Sequence, residues 1–455
     1  MFDTVGQVIF DQEIIARSSD FTMGIEVEMH RIDEHGRLSH QPYPVQLGDQ
    51  NKNQFIKNDF VQTQSEVITP PVAHSVAAMN YLMALNNTLR QALQPDEMLW
   101  PLSMPPALPK DKTQIPIADV EPAKLAYFQK WVAQHGYVHG LPTGAHLNIS
   151  IDQHVFDLVY PKVKDHFASR TAVENAIYLK VAQQFVRYRW ILIYLFGASP
   201  IAEANYFEPD DPDQPHRPVR SLRNSHYGFD SHFTGNYTSV DQYVQTILAG
   251  VKAGKLLAPM EFHGSVRLKG TGDFEKMPET GVDYLELRFL DLDPTTSVGV
   301  RTEAVRFIRL MMSYFMLTPG IPTAQVADKL AEADRRCDQI ALESPFEQTA
   351  YHDEAQAFLD KLQLFGDQIQ WGPEYQEVMD TMQDRLDHPG KTPAAFLAEQ
   401  VREGSLTDFA LRVAERYQKH ALRNIRPFKG FADKPTLDEG ELRQNLFKGN
   451  WEPRN

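Results

Sequence analysis

The sequence is poor in cysteine, and this limits the chemistry that the chain can perform. Its 455 residues include one cysteine, Cys337, so no disulfide can form within the chain. A single thiol also excludes a metal site built from several cysteine ligands. Cys337 lies in a charged run, Ala-Asp-Arg-Arg-Cys-Asp, which gives no indication of a catalytic nucleophile. The chemistry is therefore expected to rest on other side chains.

The sequence also lacks long apolar runs and an excess of positive charge. The longest aliphatic and aromatic run, Trp190–Phe196, is far shorter than the ~18 residues that span a bilayer. The first residues show no basic segment followed by an apolar one, so we expect a cytoplasmic protein. With 45 Lys and Arg against 60 Asp and Glu, the net charge of −15 argues against nucleic acid and anionic membranes as partners. The sequence gives no indication of the oligomeric state.

Several common catalytic motifs are missing from the sequence. Gly390-Lys391-Thr392 looks like the end of a phosphate-binding loop, but the earlier glycine of that motif would fall on Arg385. The chain contains no His-Glu-x-x-His and no Gly-x-Ser-x-Gly. A nucleotide would therefore have to be held in another way, most simply through bridging metal ions.

Helices are predicted from apolar residues that recur every three or four positions. Val76, Met79 and Met83 have this spacing and predict a helix over residues 74–94. Residues 172–196 predict a longer and largely buried helix. A series of further helices is expected over 302–425.

Three segments alternate apolar with polar residues, which is typical of strands. They are Gly24–Ile32, Ala145–Asp152 and Asp283–Leu290. Their polar positions include Glu26, Glu28, His30, His146, Asn148, Glu286 and Arg288. The simplest interpretation is an antiparallel sheet with one face in water. These polar residues, however, are not the Thr, Lys and Ser that usually cover a solvated face.

A shared sheet would bring these carboxylates together. They would then repel one another unless cations lay between them. Clusters rich in carboxylate oxygen suit Mg²⁺ or Mn²⁺. Asp59 and Glu66 form a second acidic group, although each alone is more simply interpreted as a turn residue or as a charge at the approach to a helix. The pattern thus favours a metal site and leaves the solvated sheet open as the alternative.

A series of short blocks resembles a known enzyme family. In order along the chain, the blocks are Ile25-Glu26-Val27-Glu28, Asp59 with Ser65–Pro70, Leu99–Pro105, Gly144–Asn148, Ser221–Ser225 and Tyr284–Asp291. This series is similar to the glutamate–cysteine ligases (γ-glutamylcysteine synthetases) of the bacterial type. The resemblance covers roughly residues 22–300 and does not extend into the helical C-terminal third.

The resemblance implies a fold, an activity and a division of the chain. The fold would be α+β, with a glutamine-synthetase-like antiparallel sheet that curves into a funnel and is flanked by helices. The enzyme would use ATP and Mg²⁺, with Mn²⁺ also possible, to join the γ-carboxyl of glutamate to the amine of cysteine through a γ-glutamyl phosphate. This reaction is the first step of glutathione biosynthesis. Residues 1–318 would form the catalytic core, and 319–455 a helical part of the same catalytic unit.

The resemblance also assigns roles to individual residues. The positions that match metal ligands or their near neighbours are Glu26, Glu28, Asp59, Glu66, His146 and Glu286. Arg288 matches a catalytic position close to the transferred phosphoryl group. The positions that match nucleotide or substrate contacts are Asn148, Tyr127, Arg223, Phe229 and His263.

The sequence departs from the family at the substrate positions and not at the metal positions. The usual Tyr-Arg pair appears as Tyr127-Phe128, and Phe229 and His263 occupy places where the family usually has tyrosine. A changed set of hydrogen-bond donors alters which amine a site accepts. The same reaction with another amine or amino acid as acceptor is therefore the second interpretation. Two further classes stay open: a hydrolase with a paired carboxylate metal site, and a catalytically silent sensor.

Overall fold

An antiparallel sheet of seven strands forms the centre of the fold in the computed structural model. The structure describes residues 2–11, 21–209, 211–212, 214–228 and 233–423. The strands are β1 (Phe21–Ile32), β2 (Ile56–Asn58), β3 (Gln64–Ile68), β4 (Met98–Leu99), β5 (Ala145–Ile151), β6 (Val266–Lys269) and β7 (Tyr284–Leu290). Together with the surrounding helices they confirm the predicted α+β class.

Helices account for most of the remaining chain. They are α1 (Thr4–Asp11), α2 (Ser75–Ala92), α3 (Pro122–His135), α4 (Gln153–Val163), α5 (Arg170–Phe196), α6 (Val240–Lys252), α7 (Met277–Thr280), α8 (Thr302–Leu317), α9 (Val326–Ala341), α10 (His352–Gln368), α11 (Pro373–Asp387), α12 (Pro393–Ala398) and α13 (Thr407–Arg423). Among the helices described, none combines the length and the apolar character needed to cross a bilayer.

The strand order places the three predicted strands side by side. The sheet runs β2-β3-β1-β5-β7-β6, and β4 pairs with the end of β1. Glu26 of β1 stands opposite His146 of β5, and Asn148 of β5 stands opposite Glu286 of β7. The prediction that these strands share one sheet is therefore confirmed.

The alternation in the strands separates a buried apolar face from a polar one. Ile25, Val27 and Met29 of β1 are buried, as are Leu287 and Phe289 of β7. Helices α2 and α5 pack against these strands, and α8 packs on both helices. The helices thus cover the apolar face, which leaves the glutamates of the opposite face to form a site.

The predicted helix over 74–94 is confirmed as α2, but the apolar residues that predicted its first half are not the buried ones there. Val76 is 52% and Met83 is 43% exposed, whereas Ala78, Leu82 and Leu85 are fully buried. Each set recurs every three or four residues, so periodicity predicts the helix but cannot rank the two faces. The buried face is determined by the packing of α2 against β1, β3 and α8.

The predicted helices beyond residue 302 are confirmed within the described part of the chain. Helix α9 packs along α5, and α10 and α11 pack on α8. Helix α13 returns to the core and contacts α2 and β4. Residues 424–455 lie outside the described range.

Candidate active site

Three predicted metal positions converge on the polar face of the sheet. Glu26, His146 and Glu286 each offer one ligand atom, and these atoms lie within 4.8 Å of one another. The three residues come from β1, β5 and β7, which are adjacent. Because side chains two residues apart share a face, the alternation in sequence places them together.

Neighbouring side chains hold Glu26 in place. The Nδ2 of Asn148 donates to Glu26 Oε1 at 2.7 Å. His146 Nδ1 lies 3.4 Å from Glu26 Oε2 and 3.8 Å from Glu28 Oε1. Asn148 therefore orients a carboxylate of the cluster, while His146 lies between the two glutamates of β1.

The second acidic group lies on the other side of β1. Glu28 stands opposite Glu66 of β3 in the sheet register. Lys57 Nζ lies 3.4 Å from Glu66 Oε2, and Lys124 Nζ lies 3.2 Å from Asp59 Oδ1. The structure thus brings all six predicted metal positions onto one region of the sheet and supplies lysines at its outer edge.

Cations from β6 complete the cluster, and sequence reasoning missed them. Arg267 Nη1 and Lys269 Nζ lie 3.3 and 3.2 Å from Glu286 Oε2. Arg288 pairs with the other oxygen of Glu286. The alternation in Val-Arg-Leu-Lys could have revealed the two β6 cations, since β6 precedes β7 closely in sequence. Lys124 is on a helix, and its sequence surroundings carry no comparable signal.

Three of the carboxylates are held in an unfavourable environment for their charge. Burial and the negative charges of Asp59 and Glu66 raise the pKa of Glu28 to about 8. Burial also raises the pKa of Glu66 to about 7, although Lys57 opposes this effect. The pKa of Glu26 is raised by burial and by the charge of Glu286. These groups gain most from an added cation.

The pKa values of Glu286, Asp59 and His146 are lowered instead. Burial would raise the pKa of Glu286, but Arg267 and Arg288 keep it well below its usual value. Burial is likewise outweighed at Asp59, where Lys124 lowers the pKa. Burial and Arg288 lower the pKa of His146 well below its usual value, so its imidazole is neutral near pH 7.

The residues present fit a divalent cation. The Nε2 atom of His146 is buried and has no hydrogen-bond partner among the described residues. A neutral imidazole with such a nitrogen beside carboxylates of raised pKa forms a donor set of oxygens and one nitrogen. This set suits Mg²⁺ or Mn²⁺ better than Zn²⁺, for which more nitrogen or sulfur ligands are usual.

A cavity of about 500 Å³ lies beside the cluster. Its lining includes Glu28, His146, Arg223, His263 and Arg288, so five separate parts of the chain meet there. We call it the chamber. It extends from the sheet to α5 and α9 and is large enough for an amino acid or part of a nucleotide.

Two predicted substrate positions, Asn148 and Tyr127, fall outside the chamber lining. Asn148 faces Glu26, as described above. Tyr127 packs at the edge of a second apolar cluster around Phe60 and Trp131. Phe229 lies outside the described residues. Arg223 and His263 are the predicted substrate positions that do line the chamber.

Phe128, which stands where the family usually has arginine, supports a lysine. The ring of Phe128 packs edge-on against Phe60 with centroids 5.3 Å apart. The Nζ of Lys124 lies over the same ring, 5.1 Å from its centroid, and also pairs with Asp59. The positive charge at this end of the site is therefore supplied from α3 by Lys124.

Comparison with known proteins agrees with this geometry. The family model described as glutamate-cysteine ligase matches residues 7–258 and 251–337. A glutathione biosynthesis bifunctional protein GshAB from Lactiplantibacillus plantarum is 35% identical over 450 residues, 98% of this chain and 58% of the relative. A protein of the same name from Pasteurella multocida is 30% identical over 449 residues, 98% of this chain and 59% of the relative. The chain thus spans about three fifths of the length of these curated relatives.

Solved structures agree at the level of the fold. A bifunctional glutathione synthetase from Pasteurella multocida superposes with a TM-score of 0.85 at 28% identity, over 92% of this chain and 55% of that one. A glutamate–cysteine ligase from Francisella tularensis, solved in complex with AMP, gives a TM-score of 0.81 at 20% identity, over 94% of this chain and 93% of that one. Because the family model matches most of its length, the chain belongs to the glutamate-cysteine ligase family.

Proposed function

We propose that the protein is an ATP-dependent carboxylate–amine ligase that joins the γ-carboxyl of glutamate to the amine of cysteine. The observation that carries the proposal is the carboxylate and imidazole cluster of Glu26, His146 and Glu286, with Arg288 beside it, in a chain of this family. Both relatives described above are named as glutathione biosynthesis proteins, which supports γ-glutamylcysteine as the product.

The polar face of the sheet supplies the groups that such a reaction requires. The residues that we assign to divalent cations, Mg²⁺ or Mn²⁺, are Glu26, Glu28, Asp59, Glu66, His146 and Glu286. When bound, such ions neutralise the phosphates of ATP and align them for in-line transfer. Arg288 stabilises the negative charge that spreads over the transferred phosphoryl oxygens, and it is held in place by Glu286.

The chamber supplies the groups for the amino acids. Arg223 lines it and suits a carboxylate of glutamate. The Nδ1 of His263 lies 2.5 Å from the carbonyl oxygen of Glu261, so it must carry the proton and donate. Because burial and Arg288 lower the pKa of His263 to about 3, the ring is neutral near pH 7.

A second candidate is the same reaction with another amine or amino acid as acceptor. The observation that favours it is His263 in the chamber lining, where the family usually has tyrosine. An imidazole and a phenol differ in size and in the positions of their hydrogen-bonding atoms. Such a difference changes the preferred acceptor amine, because buried polar groups discriminate strongly between substrates.

The test is ADP release from ATP, measured with purified protein and mass spectrometry of the product. We expect release to require glutamate, Mg²⁺ and cysteine together, with γ-glutamylcysteine as the product. Turnover with another amine of a panel but not with cysteine would establish the second candidate. Binding of ATP or glutamate without turnover of any amine would contradict the ligase and favour the sensor.

A pair of matched variants separates the site from the scaffold. Glu26→Gln removes one charge from the cluster and is expected to lower kcat by at least about 100-fold with the circular dichroism spectrum unchanged. Glu275→Gln makes the same change at an exposed position and is the control. Full activity of Glu26→Gln would show that the cluster is not the reaction site.

A further inference from the structure

Asp291 occupies a fixed position between three parts of the chain that meet at the chamber. It follows β7 directly and is 4% exposed. Its Oδ2 accepts hydrogen bonds from the backbone N–H of Ala198 at 2.8 Å, from Ser199 Oγ at 2.8 Å and from Ser221 Oγ at 2.7 Å. Its Oδ1 accepts from Asn224 Nδ2 at 3.0 Å. A carboxylate with this many donors is firmly oriented.

The same carboxylate lies beside Arg223, which lines the chamber. Arg223 Nη1 is 3.8 Å from Asp291 Oδ1. Arg223 also donates from Nη1 to the carbonyl of Leu290 at 3.1 Å and from Nη2 to the carbonyl of Arg288 at 2.9 Å. The guanidinium is therefore tied to the backbone of the strand that carries Arg288.

The chain leaves no room for Arg223 to move toward β5. A Cβ placed on Gly144 would fall 2.2 Å from Nη2 of Arg223, so the guanidinium packs directly on the glycine backbone. A Cβ on Gly228 would fall 2.0 Å from the carbonyl oxygen of Arg223. Gly144 thus lies against the guanidinium of Arg223, Gly228 lies against its backbone carbonyl, and Asp291 lies beside the guanidinium.

This restraint has a chemical consequence. Arg223 and Arg288 both line the chamber. Burial lowers the pKa of Arg223, and the positive charge of Arg288 lowers it further. Two like charges would separate unless an anion or a fixed scaffold held them. Asp291, itself held by four hydrogen bonds, supplies the negative charge beside Arg223.

We propose that Asp291 is a positioning residue: it fixes Arg223 beside Arg288 so that the guanidinium of Arg223 receives a carboxylate of the amino-acid substrate. The proposal rests on the proposed function for the identity of that substrate. It assigns to Asp291 no contact with the substrate itself. Its effect is therefore expected on amino-acid binding and not on ATP binding.

The first experiment separates the two substrates. In Asp291→Asn we expect the KM for glutamate to rise by about 10- to 100-fold, while the KM for ATP changes by less than about twofold. Ser221→Ala removes one donor to Asp291 and is the milder variant if Asp291→Asn does not fold; a smaller shift in the same direction is expected. Asp273→Asn, at an exposed position, is the control. An equal rise in both KM values would contradict the proposal.

A chemical rescue distinguishes positioning from general support of the fold. Added guanidinium chloride at low concentration is expected to restore part of the activity of Arg223→Ala, because the ion can occupy the place beside Asp291. The double variant Arg223→Ala with Asp291→Asn is expected to show no rescue. Equal rescue in both proteins would overturn the proposal.

A binding measurement keeps this test independent of the proposed function. Glutamate binding to the wild type and to Asp291→Asn is measured by calorimetry, whether or not any amine supports turnover. Binding weakened by about tenfold or more in the variant supports the positioning role. Binding of equal strength in the two proteins would overturn it, even in an active ligase.

Discussion

At the scale of single residues, the buried carboxylates of the site repel one another. Glu28 has a folded-state pKa of about 8 because of burial and the charges of Asp59 and Glu66. A carboxyl with a raised pKa binds its proton more tightly in the folded state, so its ionisation opposes folding. The cost is absent below about pH 4.5 and grows as the pH rises toward 8.

The variant Glu28→Gln tests this repulsion. Without divalent cations, we expect it to be more stable than the wild type by about 1–3 kcal/mol at pH 7, because the amide carries no charge. The advantage should grow with pH between 4.5 and 8. Saturating Mg²⁺ should raise the unfolding temperature of the wild type much more than that of the variant. Chemical denaturation in EDTA and in Mg²⁺ measures both effects, and a variant less stable in EDTA would contradict the interpretation.

His30 gives a second dependence on pH, with the opposite sign. It is fully buried, and its ring nitrogens lie 3.1 Å from Thr63 Oγ1 and 2.7 Å from the carbonyl of Leu141. Burial lowers its pKa to about 4. The folded state therefore resists protonation, and stability present above pH 6.5 is lost as the pH falls toward 4.

The comparison of wild type with His30→Gln isolates this effect. The difference in their free energies of unfolding is expected to change by about 3 kcal/mol between pH 7 and pH 4, in favour of the variant at low pH. Urea denaturation at several pH values measures it. A constant difference across this range would mean that His30 is not held neutral.

The sequence revealed the residues of the site whose spacing is set by a strand. Alternation in β1, β5 and β7 singled out Glu26, His146 and Glu286, because strand geometry fixes which side chains share a face. Lys124 could not be found in this way, since it reaches Asp59 from a helix that is distant in sequence. Such a contact depends on how the helix packs, which local pattern does not encode.

At the scale of elements, the sequence pattern predicted whether a segment is a helix or a strand better than it predicted what the segment packs against. The long strands and α2 were predicted close to their observed bounds. The pattern could not determine which face of α2 is buried, because two of its faces carry apolar residues at helical spacing. The three-residue strand β2 and the two-residue strand β4 are too short for any period to be visible, and their pairing partners determine them.

The start of α13 depends on a residue from a distant loop. Glu203 accepts hydrogen bonds from Ser405 Oγ at 2.6 Å, from the backbone N–H of Leu406 at 2.7 Å and from Thr407 Oγ1 at 3.1 Å. Glu203 is 7% exposed. A buried carboxylate that receives three donors at a helix start stabilises both the helix and its attachment to the core.

Glu203→Gln is expected to lower the free energy of unfolding by about 1–3 kcal/mol, because the amide group offers one acceptor where the carboxylate offers two. Hydrogen exchange should become faster in α13 and stay unchanged in β1 and β5. The exposed Glu399→Gln on the neighbouring segment is the control. Unchanged exchange in α13 would show that other contacts hold this helix.

At the scale of the whole molecule, the question is whether the part before residue 318 and the helices after it form one unit. The helices after that boundary do not pack only among themselves: α9 lies along α5, and α13 lies on α2 and β4. Residues of α9 also line the chamber. A division of the chain at this boundary would expose the apolar side of α5 and open the chamber, so we expect a single cooperative unit.

The single cysteine makes this expectation testable without any substitution. Cys337 is 2% exposed in α9, and burial raises the pKa of its thiol to about 11, so it reacts slowly with alkylating reagents in the folded protein. In a urea series, pulse labelling of Cys337 is expected to rise at the same midpoint as the loss of the circular dichroism signal. Because Cys337 is buried on a helix that packs along α5, loss of that packing exposes the thiol. Labelling at a clearly lower urea concentration would show that the C-terminal helices open separately, and the division at residue 318 would then mark two units instead of one.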